Sequence, residues 1–247
     1  MLIVANWKAY VEELSKARVL LTVSKRLARS GTHQIVLAPP SPLLGALAVK
    51  NTSPVMFAAQ DISLATAGAH TGEATAAAFT AAGATYTIVG HSERRSNGET
   101  DVTVSQKIVR ALAQGLTPIL CVGERERDGE GRYLSTIREQ ITTALSPLLP
   151  KERGDIVVAY EPLWAIGKTA EAAISAPDLA EMALYIRKVL SELLPGKTAT
   201  RSVVLYGGSV EPENIRALAG GSGIDGFLIG HASTDPRVFA VLVKNIS

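Results

Sequence analysis

Cysteine occurs once in this chain, at Cys121. A lone thiol has no partner for a disulfide within the chain. That suits a reducing compartment, and the expected location is cytoplasmic. An excess of either charge is missing too. The 25 Lys and Arg against 23 Asp and Glu give a formal net charge of +2, with both signs scattered. No basic stripe or acidic tail argues for nucleic acid or a membrane as partner. No apolar stretch approaches the roughly 18 residues of a membrane helix. Met1-Leu2-Ile3-Val4-Ala5-Asn6 lacks a basic region and reads as a strand rather than a signal peptide. Asn51-Thr52-Ser53 fits a glycosylation sequon, which has no meaning without a secretory signal. Clusters of Cys, His and carboxylates at metal-ligand spacing are lacking, as is the glycine fingerprint of dinucleotide binding. Neither a metal nor a cofactor is therefore expected. Gly167-Lys168-Thr169 ends like a P-loop, but the glycine which that motif needs five residues earlier is Pro162.

What is present is apolar and periodic. Hydrophobic residues make up 47% of 247, enough for a large core. Strand-like runs recur at Leu2–Ala5, Gln34–Ala38, Val55–Ala59, Tyr86–Val89, Thr117–Val122, Asp155–Tyr160, Ser202–Leu205 and Gly226–Ile229. Most are continuous rather than alternating, as in parallel strands covered on both faces. Helix-like segments lie between them, at Val11–Ser30, Ser105–Gln114, Arg132–Ser146, Ala176–Leu193 and Pro212–Leu218. Ser175-Ala176-Pro177-Asp178 has the form of an N-cap with Pro in the first turn. Repeated strand–helix alternation predicts an α/β fold, a closed (β/α)₈ barrel forming one domain over 1–247. An open doubly wound sheet is the alternative, since periodicity does not report closure.

Two stretches carry chemistry. Gly90-His91-Ser92-Glu93-Arg94-Arg95 follows one apolar run, and Ala159-Tyr160-Glu161-Pro162-Leu163-Trp164-Ala165-Ile166-Gly167 closes another. A His and a Glu at the carboxyl ends of two strands suit acid–base work on a small carbonyl substrate. In isolation each is a commonplace residue: a lone Glu before Pro is usually a solvated loop residue, and Lys8 alone is a surface charge. Their joint recurrence at strand ends is the informative feature. At these residues the chain resembles the triosephosphate isomerase family. Asn6-Trp7-Lys8, Cys121-Val122-Gly123-Glu124 and Tyr206-Gly207-Gly208-Ser209-Val210 extend the resemblance along nearly the whole chain, in the family's order.

The resemblance implies a cofactor-free isomerase of glycolysis and gluconeogenesis that interconverts dihydroxyacetone phosphate and glyceraldehyde 3-phosphate. Glu161 would move the carbon-bound proton, and His91 would polarise the carbonyl. Lys8 would stabilise the enediolate, and Asn6 would help hold Lys8 and the substrate oxygens. Ser92 and Glu93 would support them from behind. Backbone N–H groups at Gly167, Ser209, Gly230 and His231 would hold the phosphate. Pro162–Gly167 would be a mobile lid whose exposed Trp164 and Ile166 a plain loop would not explain. The loop Gln60–Glu73 resembles the family's inter-subunit loop and implies a homodimer with contacts at Gln60 and Thr71. Cys121 is expected to be a packed thiol near Glu161, and Arg94 and Arg95 to be ion-pair partners in the scaffold.

The resemblance fails in three places. The family usually continues Asn-Trp-Lys with Met-Asn, where this chain has Ala9-Tyr10. The lid usually continues Ile-Gly-Thr-Gly-Lys, here Ile166-Gly167-Lys168-Thr169-Ala170. The last strand usually ends in Gly-Gly-Ala-Ser, here Gly230-His231-Ala232-Ser233. These departures motivate a rival substrate, a related sugar phosphate such as a tetrulose phosphate. A binding protein that has lost catalysis is a further alternative, against which the joint presence of Asn6, Lys8, His91 and Glu161 argues.

Overall fold

Successive side chains of a strand point to opposite faces, and in this chain both faces are buried. Along β1 (Leu2–Asn6), Leu2 and Val4 join one apolar cluster while Ile3 and Ala5 join another. The computed structural model, which describes residues 1–29, 31–149, 153, 156–167, 173–194 and 202–246, explains the pattern. Its strands close on themselves in sequence order. After β1 come β2 (Gln34–Ala38), β3 (Met56–Ala59), β4 (Tyr86–Val89), β5 (Thr117–Val122), β6 (Val157–Tyr160), β7 (Val203–Tyr206) and β8 (Gly226–Ile229). Each is parallel to the next, and β8 returns to β1 with Leu2 opposite Gly226. The open sheet is thereby excluded. The inner cluster, with Val4, Val36, Ile88, Ile119, Ala159, Leu205 and Leu228, fills the barrel. The outer cluster packs the barrel against its helices.

The main helices are α1 (Leu14–Ala28), α2 (Ser41–Ala48), α3 (Ala76–Ala81), α4 (Ser92–Ser96), α5 (Asp101–Ala113), α6 (Arg132–Leu145), α7 (Ala176–Leu193), α8 (Ile215–Gly221) and α9 (Pro236–Asn245). Their starts follow side-chain caps where these exist. Ser175 accepts from the Asp178 amide at the start of α7, as its sequence predicts. Thr100 caps α5 at Asp101, four residues before the expected start. The helix expected over Val11–Ser30 begins only at Leu14, because Glu13 is extended; Ser30 lies outside the described residues. The helix expected from Pro212 begins at Ile215, after a turn in which Asn214 Oδ1 accepts the Glu211 amide. Asp155, expected in β6, lies outside the described residues as well.

Candidate active site

Strand parity delivers the polar groups. On β6, Val157 and Ala159 face the barrel interior, and Glu161 follows with the same parity. Its amide extends the ladder to Val122 O at 2.8 Å, so its carboxylate arrives at the top of the inner cluster. Asn6 continues the Leu2–Val4 face of β1 in the same way. Two glycines clear the space for Glu161. A Cβ on Gly123 would fall 1.8 Å from Glu161 O, and one on Gly207 would fall 2.9 Å from Glu161 Cγ.

Glu161 is 2% exposed and held at both oxygens. Oε2 accepts the Ser92 amide at 3.0 Å, and Oε1 lies 3.2 Å from His91 Nε2. The first turn of α4 orients His91 too, since Nδ1 accepts the Glu93 amide at 3.2 Å. A ring nitrogen that accepts a hydrogen bond carries no proton. The imidazole is therefore neutral, with its proton on Nε2 and directed toward Glu161. The Glu93 carboxylate, 3.8 Å from Nδ1, is too far to compete with that amide.

Lys8 adopts a left-handed backbone with φ 45°, strained for a non-glycine residue. Three contacts hold it. Its amide donates to Asn6 Oδ1 at 3.1 Å, its carbonyl accepts from Gln60 Nε2 at 2.9 Å, and its ammonium meets Glu93 Oε1 at 2.6 Å. Gln60 also donates to Ala38 O at 2.9 Å, pinning the loop after β1 to the end of β2. Glu93 thus reaches both His91 and Lys8.

A cavity of about 480 Å³ is lined by Asn6, Lys8, His91, Glu161, Gly167, Ser209, Gly230 and His231, which brings every expected contact residue into one place. Ser92 and Glu93 line it as well. Ser209 is buried, and its hydroxyl donates to Ala165 O at 2.9 Å, tying the loop after β7 to the turn after Glu161. At the mouth, burial and then the Glu213 carboxylate push the Glu211 carboxyl up, while His231 draws it down. Two further cavities, each of about 530 Å³, lie outside this cluster. In one, Lys107 is paired with Asp61 at 2.6 Å and Glu99 at 2.5 Å. Among the described residues, no group of three His, Cys, Asp or Glu is close enough to hold a metal ion, and no helix is long and apolar enough to cross a membrane.

Cys121 is 1% exposed, and its thiol is pushed well above the ordinary range, first by burial and then by the nearby Glu161 carboxylate. Arg94 pairs with Asp61 at 2.9 Å, and Arg95 with Asp101 at 2.5 Å. The expectation of an exposed Trp164 and Ile166 is corrected, because both are half-buried. Trp164 Nε1 donates to Glu124 Oε1 at 2.8 Å, and the Arg127 guanidinium lies 5.2 Å over its ring. Tyr160 OH donates to the same oxygen at 2.7 Å, and Arg127 Nε reaches it at 3.2 Å. This anchor for the loop after Glu161 has no sequence signal beyond a carboxylate closing β5. Lys168, Thr169 and Ala170, where the loop departs from the family pattern, lie outside the described residues.

The triosephosphate isomerase family model matches residues 1–246. The triosephosphate isomerase of Moorella thermoacetica is 40% identical over 248 residues, covering 98% of this chain and 97% of the relative. That of Thermus thermophilus is 40% identical over 248 residues, covering 99% and 98%. That of Symbiobacterium thermophilum is 38% identical over 251 residues, covering 98% and 94%. The chain belongs to the triosephosphate isomerase family.

Proposed function

We propose that this chain interconverts dihydroxyacetone phosphate and glyceraldehyde 3-phosphate. The observation that carries the reading is one buried cluster, with the Glu161 carboxylate 3.2 Å from a neutral His91 Nε2 and the Lys8 ammonium in the same cavity. Glu161 takes a proton from the carbon that bears the hydroxyl, next to the carbonyl. Electrons from that C–H bond form the carbon–carbon double bond of a cis-enediolate. The carbonyl oxygen gains negative charge, which the Lys8 ammonium and the His91 Nε2–H stabilise. His91 then moves a proton between the two oxygens, and Glu161 returns its proton to the neighbouring carbon. One carbon is oxidised and the other reduced within the same molecule, so the reaction balances without an external oxidant or cofactor.

A neutral His91 suits the shuttle, since it can donate from Nε2 and become anionic or recover a proton while its backbone partner holds the ring in place. Amides at Gly167, Ser209, Gly230 and His231 bind the phosphate, and Pro162–Gly167 closes over the enediolate to exclude water. The protein works in the cytoplasm as a homodimer. The loop from Thr66 to Ala74 is exposed along its whole length, which supports Thr71 and its neighbours as contacts to a second subunit.

The test is turnover of each triose phosphate by purified protein, in deuterated solvent. Isomerisation in both directions, with deuterium appearing on the carbon next to the carbonyl, is expected. Isomerisation without solvent exchange at any pH points to direct hydride transfer and sinks the Glu161 mechanism.

A further inference from the structure

The rings of Tyr10 and His231 meet edge to face, with centroids 5.0 Å apart and planes at 69°. Tyr10 stands in the loop after β1 and His231 in the turn after β8, so the contact bridges two adjacent strand ends. Both rings line the cavity that contains His91 and Glu161. Their depth differs from that of the reacting groups: Tyr10 is 52% exposed, whereas Glu161 is 2% exposed. The pair forms a rim rather than a floor. Glu211 closes the same mouth from the loop after β7. Positions 10 and 231 are also two of the places where the chain leaves the family pattern, each time gaining a ring.

We propose that Tyr10 and His231 form a wall at the phosphate end of the cavity that fixes substrate length and favours three-carbon over four-carbon sugar phosphates. This rests on the isomerase reading above. The reacting carbons are tied to Glu161 and His91, and the phosphate to amides at the ends of β7 and β8. One additional carbon moves the phosphate outward by about 1.5 Å, the length of a carbon–carbon bond. The exposed His231 ring lines the cavity beside Gly230. It cannot swing away on the side where Tyr10 abuts it. Discrimination by such a wall comes from a clash with the longer ligand rather than an attraction for the shorter one.

Unreactive polyol phosphates read the wall directly. Dissociation constants of glycerol 3-phosphate and erythritol 4-phosphate would be measured by calorimetry for the wild type, His231→Gly, Tyr10→Ala and Tyr10→Phe. The wild type should favour the shorter ligand by about tenfold or more, the scale on which a tight pocket resolves one methylene. His231→Gly keeps an amide at that position and should bring the ratio close to one. Tyr10→Ala should move it part of the way, and this exposed site reads the wall even if His231→Gly fails to fold. Tyr10→Phe should keep the wild-type ratio, because the ring edge and not the hydroxyl makes the contact. Equal affinities in the wild type, or an unchanged ratio in both His231→Gly and Tyr10→Ala, overturn the wall. Triose turnover by the wild type is assayed alongside. Ligand discrimination without turnover refutes the isomerase reading and leaves the wall; turnover without discrimination does the reverse.

Discussion

His91 Nδ1 accepts the amide of Glu93 at 3.2 Å, and that one bond fixes the protonation of the imidazole. With Nδ1 occupied as an acceptor, the only ring proton is on Nε2, the atom that faces Glu161. The proposed base and proton shuttle are therefore oriented by consecutive amides of one turn, Ser92 for Glu161 and Glu93 for His91.

Shortening the base tests reach. Glu161→Asp keeps the charge and withdraws the carboxylate by about 1 Å, a misplacement that can cost roughly 10²-fold in rate. The proposed phosphate contacts are elsewhere, so kcat should fall with little change in KM, as expected when an interaction is lost mainly in the transition state. Steady-state kinetics and solvent exchange should slow together, and a wild-type kcat would remove Glu161 from the mechanism.

Removing the ammonium tests charge. In Lys8→Ala, loss of a preorganised charge near a developing oxyanion should raise the barrier by about 3–4 kcal/mol. Lys8→Arg should recover only part of this, because a planar fork does not replace a compact ammonium beside Glu93. If kcat/KM for Lys8→Ala stays near the wild-type value, Lys8 is a surface charge and nothing more.

Glu124 should matter to stability as well as to the loop it anchors. Glu124→Ala strands the Tyr160 hydroxyl and the Trp164 indole N–H, each a donor whose acceptor oxygen is lost. An unsatisfied buried group costs about 1–3 kcal/mol. For a domain of this size, each kcal/mol lowers Tm by roughly 2–4 °C. Calorimetry that finds an unchanged Tm would show that water satisfies both donors.

Association is predicted through Gln60–Glu73. Sedimentation at micromolar concentration should give a species twice the mass of one 247-residue chain. A charged substitution at the exposed Thr71, such as Thr71→Glu, should shift it toward the monomer with reduced activity. A wild-type chain that sediments as a fully active monomer refutes the interface.

The strands were legible because burial on both faces leaves an uninterrupted apolar signature, and Tyr86–Val89 and Gly226–Ile229 begin and end where their sequences predict. Parity then carries Glu161 and Asn6 to the barrel's mouth. Helices were legible when long: α7 matches its expected bounds, whereas α2 and α3, of 8 and 6 residues, are too short to establish a period. The start of α9 did carry a signal, Asp235 followed by Pro236, and Asp235 accepts the Arg237 and Val238 amides. Trp164 misled because an apolar residue in a loop reads as exposed until its tertiary acceptor, Glu124, is known. The Tyr10–His231 contact was equally hidden, joining residues from opposite ends of the chain.

Closure of the barrel is also what completes the cavity. Asn6 and Lys8 stand beside Gly230 and His231 because β8 pairs with β1. Residues more than 200 positions apart in the chain thus share one wall, and an open sheet of the same strands would leave them on opposite edges.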